Sequence, residues 1–255
     1  MENSTAVTTQ VYASGWAEVV LNRPERKNAI TGPMGEGLAA AFNRLREDPA
    51  VRVILLRGAQ GAFCSGLDLK AFNAEPAPPW LADFQVTWRQ AHKALFNVGK
   101  PVVGALERYA INGGAALALA CDLLVVGEAA FLQVGEAQIG MPAPYNLAWM
   151  SLRHSEATMA QVALLGERLY GPHLLAARIA QYCVADDAVV SSATALCEKL
   201  AGFPEGGLVR IKTGLRARLT VDADAWFDRF TQADPIGGRT PPRSMREVGG
   251  GSTAA

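Results

Sequence analysis

The chain has 255 residues, half of them hydrophobic and 19% charged, which provides a sizeable core and excludes wholesale disorder. Lys plus Arg and Asp plus Glu number 24 each, so the totals carry no electrostatic footprint for nucleic acid or an anionic membrane. Glycine, at 25 residues, exceeds its usual share while aromatics reach only 7%, a balance that favours close backbone approach over a base-stacking surface.

Residues 1–10 are polar and lack the basic, apolar and small-residue order of a signal peptide. Residues 8–13 and 16–22 alternate on either side of Ser14-Gly15 and predict a β-hairpin. From Thr31 the period becomes helical, with Met34, Leu38, Phe42 and Leu45 on one stripe, Pro33 early, and Asp48-Pro49 as the stop. A buried strand over 51–57 leads into a loop, 58–70, and the Pro-rich 76–79 precedes a helix over 80–97. A strand over 101–106 follows, and Asn112 is expected to cap a helix through Ala120. Short strands are expected at 123–126 and 130–133. Beyond Gly140 the spacing predicts helices over 146–153, 156–165, 172–180, 187–200, 205–219 and 222–232. Trp226, Phe227 and Phe230 fall where a helix packing face would close. The Gly/Pro/Ser-rich 237–255 reads as a disordered tail. The organisation is α/β: a core domain over 1–185, a helical region over 186–236, and the tail.

The most apolar run, 113–126, is interrupted by Asp122 and too short to span a bilayer. Cys64, Cys121, Cys183 and Cys197 show neither metal-ligand nor disulfide-framework spacing, and His92, His154 and His173 are dispersed. Reduced thiols, no metal and a cytoplasmic location are the resulting expectations.

Four segments carry possible chemistry. The turn at 22–29, NRPERKNA, places Arg23, Arg26 and Lys27 before a helix, either as a solvated basic surface or as a phosphate anchor. The loop at 61–70, GAFCSGLDLK, can turn backbone N–H groups into a cleft. Its Cys64 and Ser65 lack a nucleophile elbow and a nearby histidine. At 112–116, NGGAA, a glycine pair opens a helix, suited either to an oxyanion at the N-terminus or to tight packing on a sheet. In 135–142, GEAQIGMP, Glu136 is the one acid between residues 129 and 152, either exposed on a loop or held in an apolar pocket as an acid/base.

Taken in order and spacing over residues 11–201, these segments resemble the crotonase (enoyl-CoA hydratase/isomerase) superfamily. The resemblance implies a spiral of ββα units with C-terminal helices used in assembly as a homotrimer or a dimer of trimers. It implies no tightly bound cofactor; coenzyme A would enter as part of the thioester substrate. Arg26, Lys27, Ala29, Ser65, Gly66, Asp68 and Leu69 fall where such proteins hold the nucleotide end of coenzyme A. The N–H groups of Leu67 and Gly113 fall on the oxyanion donors, and Glu136 on a recurrent catalytic glutamate. No nucleic-acid or membrane partner is implied.

Departures from the pattern bear on the chemistry. A second glutamate, common in the hydratases, would stand at Ala116. Its absence, and the likeness of 135–145 to the segment around the single glutamate of Δ3,Δ2-enoyl-CoA isomerases, imply an isomerase of fatty acid metabolism. Hydration of a 2-enoyl thioester and a non-catalytic acyl-CoA-binding role stay open. Glu107-Arg108 stands where Asn-Gly is usual, and Asn112 where the first of three glycines is usual.

Overall fold

A computed structural model describes residues 5–232; the expected tail lies outside them. The expected hairpin forms as β1 (Val7–Tyr12) and β2 (Trp16–Leu21), antiparallel and turned at Gly15, whose φ of +89° suits a residue without a side chain. The amphipathic stripe forms α1 (Gly32–Glu47), which buries Met34, Leu38, Phe42 and Leu45. Then follow β3 (Val53–Gly58), the one-turn α2 (Leu69–Phe72), α3 (Phe84–Asn97), β4 (Val102–Leu106), β5 (Tyr109–Ile111), α4 (Gly113–Ala120), β6 (Leu123–Gly127) and β7 (Phe131–Gln133). The rest comprises α5 (Pro144–Met150), α6 (Glu156–Leu165), β8 (Leu169–Tyr170), α7 (Gly171–Ala176), β9 (Tyr182–Val184), α8 (Val189–Ala201), α9 (Gly207–Arg216) and α10 (Ala223–Thr231). β5, β8 and β9 escape sequence reading; with two or three residues each they show hardly any two-residue period. Among the described strands of that length, β7, also three residues, is the one expected from the sequence, at 130–133.

A six-stranded sheet runs β1-β2-β3-β4-β6-β9, parallel except for the β1–β2 pair. Alternate residues of its strands serve two cores. Val19, Leu21, Ile54, Leu56, Leu106 and Val126 face the layer built by α1, α3 and α4. Trp16, Val53, Leu55, Val103 and Val125 face α8, which lays Val189, Ala193, Cys197 and Ala201, each four residues from the next, across the other side. The inner strands β2, β3, β4 and β6 are therefore covered on both faces, as parallel strands generally are, while β1 and β9 form partly exposed edges.

The register of β2 on β3 sets Leu21 opposite Gly58, so the two loops that follow leave the sheet at one level. They then build a second layer. Ile30 bridges Leu67, Cys64 bridges Ala110, and β5 pairs with β7, all in parallel. Each turn of the chain thus adds a strand to the large sheet, a short extended piece to the small one, and a helix. This is the expected ββα spiral.

The helix α4 lies where the two layers meet and is buried from Gly114 to Ala120. A Cβ at Gly114 would stand 2.6 Å from the Cys64 carbonyl oxygen and 2.8 Å from its Cβ, so glycine alone allows this approach. At the exit of α4, Asp122 accepts from the Val102 N–H (2.8 Å) and pairs with Lys212 of α9 (2.7 Å) and with Arg153 (3.2 Å). Trp226 and Phe227 do close a packing face: Phe227, fully buried, packs on Trp149, His92 and Tyr145. Among the described residues no helix is long and apolar enough to cross a membrane. Gly114→Ala is expected to push α4 off Cys64 and lower unfolding stability by about 1–3 kcal/mol, read from urea denaturation.

Candidate active site

The basic turn at 22–29 is held by its own neighbours. Asn28, fully buried at φ 54°, accepts the Arg23 N–H (2.9 Å) and donates from Nδ2 to the carbonyls of Ala59 (3.0 Å) and Ala62 (2.7 Å). It locks the first loop onto the second. Arg23 donates to the Ala29 carbonyl (2.6 Å) and to Asp68 (2.9 Å), and Arg26 reaches the other oxygen of Asp68 (2.9 Å). Asp68 also caps α2 by accepting the Ala71 N–H (3.1 Å). Burial alone would raise the Asp68 carboxyl, but the hydrogen bonds from Arg26, Arg23 and Ala71 outweigh it and hold it at about 2.

Two of the expected nucleotide-binding residues, Arg26 and Asp68, are therefore partners of each other. Arg26 keeps its outer edge at the surface, with 41% of its side chain exposed, and Lys27 is exposed beside it. Ala29 is buried, Ser65 donates its N–H to the Lys27 carbonyl (3.2 Å), and Leu69 opens α2. Arg23 and Asn28, which organise the turn, belong to the same stretch; only the tertiary contacts separate their part from that of Arg26 and Lys27.

The strand-like piece at 64–67 runs between Ile30 and β5. Gly66, at φ +89°, gives its carbonyl to the Ile30 N–H (2.8 Å), and the Asp68 N–H donates to the Ile30 carbonyl (3.0 Å). Leu67 lies between these two bonds, so its own N–H faces away from Ile30 and donates to nothing among the described residues. The Gly113 N–H, at the first position of α4, is likewise unspent. A Cβ at Gly113 would lie 2.8 Å from Ile30 Cδ1 and 3.7 Å from Trp88 Cζ2, so Ile30 and the α3 aromatic wall the space beside this donor. Two free backbone donors, the second reinforced by a helix dipole, suit a carbonyl oxygen that gains negative charge. Cys64, by contrast, is fully buried, and burial pushes its thiol up to about 12, which removes it as a nucleophile.

Asn112 does not cap α4 as expected. Its side chain turns away from the helix, and Oδ1 accepts the Gly135 N–H (2.8 Å). Next to Gly135, Glu136 begins a 3-10 turn, Glu136–Ile139, and is half-buried. Oε1 accepts from Asn146 Nδ2 (2.9 Å), while Oε2 is buried with no partner. Burial raises the Glu136 carboxyl to about 7, against the opposing pull of its backbone and the Asn146 amide. Of the two readings available from the sequence, exposure on a loop does not hold: the carboxylate is largely withdrawn from solvent. Asn146, 2% exposed, leaves its own Oδ1 without a partner. Its place ten residues after Glu136 carries no motif, and only the return of the chain into α5 brings it to the carboxylate. Ala116 is fully buried on α4, with no carboxylate in its place.

An aromatic cluster joins α3 to α5. Tyr145 stacks on His92 at 4.2 Å, with Trp88 edge-on to His92 at 4.7 Å. His92 accepts the Trp149 indole N–H at Nδ1 (2.9 Å), and burial lowers its titration to about 3, so it stays neutral and structural.

Two measurements check these electrostatics. Asp68→Asn leaves two arginines without their counter-charge; about 2–4 kcal/mol of unfolding stability is expected to go, below the fully buried case because Arg26 is partly exposed. Glu136 has a folded value near 7, above its ordinary 4.5, so the folded state binds the extra proton and the chain loses stability as pH rises from 4.5 through 7. Glu136→Gln is therefore expected to be about 2–3 kcal/mol more stable than the parent at pH 8, with the gain gone by pH 4.

Residues 12–229 match the family model described as enoyl-CoA hydratase/isomerase. The chain is 32% identical over 202 residues to a carnitinyl-CoA dehydratase of Proteus mirabilis (strain HI4320), spanning 78% of this chain and 76% of the relative. It is 28% identical over 230 residues to a 1,2-epoxyphenylacetyl-CoA isomerase of Escherichia coli (strain K12), spanning 89% and 88%. The crystal structure of an enoyl-CoA hydratase/isomerase from Mycobacterium paratuberculosis superposes with a TM-score of 0.80 at 25% identity, covering 94% of this chain and 96% of that one. The chain belongs to the enoyl-CoA hydratase/isomerase (crotonase) family of acyl-CoA enzymes.

Proposed function

We propose that the protein is an enoyl-CoA isomerase that moves a proton between C2 and C4 of its thioester through Glu136. The coenzyme's nucleotide end lies against Arg26, Lys27, Ala29, Ser65, Gly66, Asp68 and Leu69. The thioester oxygen takes the N–H groups of Leu67 and Gly113, each worth about 2.7–4 kcal/mol of barrier as the enolate forms. Glu136 removes a proton from C2 of a 3-enoyl thioester, the electron pair enters the enolate, and the proton returns at C4 as the double bond settles between C2 and C3. No atom is gained or lost.

The observation that supports this most is Glu136 itself. It is desolvated to a titration near 7, has one oxygen held and the other free, and Ala116 stands where a second carboxylate would be. A base with a pKa near the working pH both takes and returns a proton.

A second reading, hydration of a 2-enoyl thioester, is favoured by the unpartnered Asn146 Oδ1, an acceptor suited to a water beside the base. Self-association as a trimer or a dimer of trimers is supported by apolar side chains left open on α6 and α9, Leu164, Leu165, Ile211 and Leu215, each more than half exposed.

The deciding experiment follows exchange of α-protons with heavy water across saturated, 2-enoyl and 3-enoyl-CoA thioesters. Wild type is expected to exchange, with the rate falling as pH drops below about 7 because the base must be ionised. It is also expected to convert 3-enoyl to 2-enoyl thioester. Glu136→Gln should keep coenzyme A binding and lose exchange by roughly 10²–10⁴-fold. Conversion of the 2-enoyl thioester to a 3-hydroxyacyl product would select hydration instead. Binding with no exchange would leave an acyl-CoA-binding homologue.

A further inference from the structure

The backbone of Asn112 sits at φ 51°, ψ −113°, which side-chain-bearing L residues rarely adopt. Four hydrogen bonds hold it there. Its N–H donates to the Gln133 carbonyl (2.8 Å) and its Oδ1 accepts the Gly135 N–H (2.8 Å). Its carbonyl accepts from the Ala116 N–H (3.0 Å) and from Asn146 Nδ2 (3.3 Å).

An asparagine at this place has a cheaper option, which is to cap the helix it precedes. It leaves that option unused, and α4 has no side-chain cap. The side chain is committed instead to the turn that carries the base. Asn112 adjoins Gly113, the oxyanion donor, and its Oδ1 grips Gly135, the neighbour of Glu136. Its carbonyl shares the Asn146 amide that orients the Glu136 carboxyl. One residue therefore links the site where enolate charge collects to the group that moves the proton, across a gap of 23 residues in the chain.

We infer that Asn112 is a positioning residue, holding the Gly113 donor and the Glu136 carboxyl in register so that the base meets C2 while the thioester oxygen is bound. The inference rests on the enolate reading above. It holds for isomerisation and hydration alike, since both need that register. The strained backbone is the cost of having a side-chain acceptor at a position where glycine would sit without strain.

Two variants test it. Asn112→Gly relieves the backbone and removes only the Oδ1 acceptor. Asn112→Asp keeps an acceptor and adds a charge near Glu136. Exchange of α-protons is followed against pH with a 3-enoyl-CoA, binding is read with coenzyme A alone, and folding is read from the thermal midpoint. Asn112→Gly is expected to keep coenzyme A affinity and thermal midpoint while exchange falls roughly 10- to 100-fold. Its acid limb should move below about 7 as the turn loosens and water reaches Glu136. Asn112→Asp should recover most of the rate at high pH, with the limb moved upward by the new carboxylate.

Wild-type exchange and an unmoved limb in Asn112→Gly overturn the positioning role. So does a loss that only tracks coenzyme A binding or the folded fraction. Absence of exchange in the wild type is a different result, because it removes the enolate reading itself.

Discussion

The site depends on backbone pairing that stops one residue short. Ile30 takes the Gly66 carbonyl and the Asp68 N–H, and Cys64 exchanges bonds with Tyr109 and Ile111. That small second layer brings three distant stretches side by side, yet its alternation leaves the Leu67 N–H facing outward, and the helix that begins at Gly113 leaves another donor unspent. A buried N–H without a partner is expensive, so such donors persist only where water or a ligand reaches them. The surrounding architecture fixes the segments that carry these two unspent donors. The shared level of Leu21 and Gly58 launches the loops together, Asn28 staples them, and glycine at 114 lets α4 touch Cys64.

Charge is handled differently at the two ends of the site. At the turn over 22–29, cations are organised by a buried counter-ion: Arg23 and Arg26 converge on Asp68, whose carboxyl stays ionised well below neutrality. Lys27 and the outer edge of Arg26 remain exposed at the surface. At the Glu136 turn, no ion pair comes to the aid of the carboxylate among the described residues. Its side-chain partner is the neutral Asn146 amide, and desolvation carries its titration towards neutrality. One carboxylate is held ionised by cations and the other is pushed towards the neutral acid by burial. Solvent access and nearby cations make the difference.

Regular elements with long repeats were legible from residues alone. The stripe of α1 and the alternating hairpin required only a helical or two-residue period. The short strands β5, β8 and β9 were not, because their extended geometry is imposed by neighbours in the second layer. The same division runs through the site. Arg26, Lys27, Leu67, Gly113 and Glu136 lie in compact motifs. Asn28 lies in one of those motifs without a distinguishing signal, and Asn146 lies outside them altogether. Asn112 was read as a helix cap because local chemistry favours one, yet a long-range acceptor geometry prevailed.

Composition and spacing alone therefore determined an α/β chain with a basic turn, two glycine-bearing segments and one isolated acid, since each is a local pattern; the resemblance, and not the spacing, singled out the Leu67 and Gly113 N–H groups. Tertiary structure decided what those parts are worth. It paired Arg26 with Asp68, buried Ala116 without a companion carboxylate, and drew Asn112 and Asn146 around Glu136. The reason is physical: hydrogen-bond partners and desolvation belong to positions in space, and a linear sequence does not specify which amide will face a carboxylate or how much water will reach it.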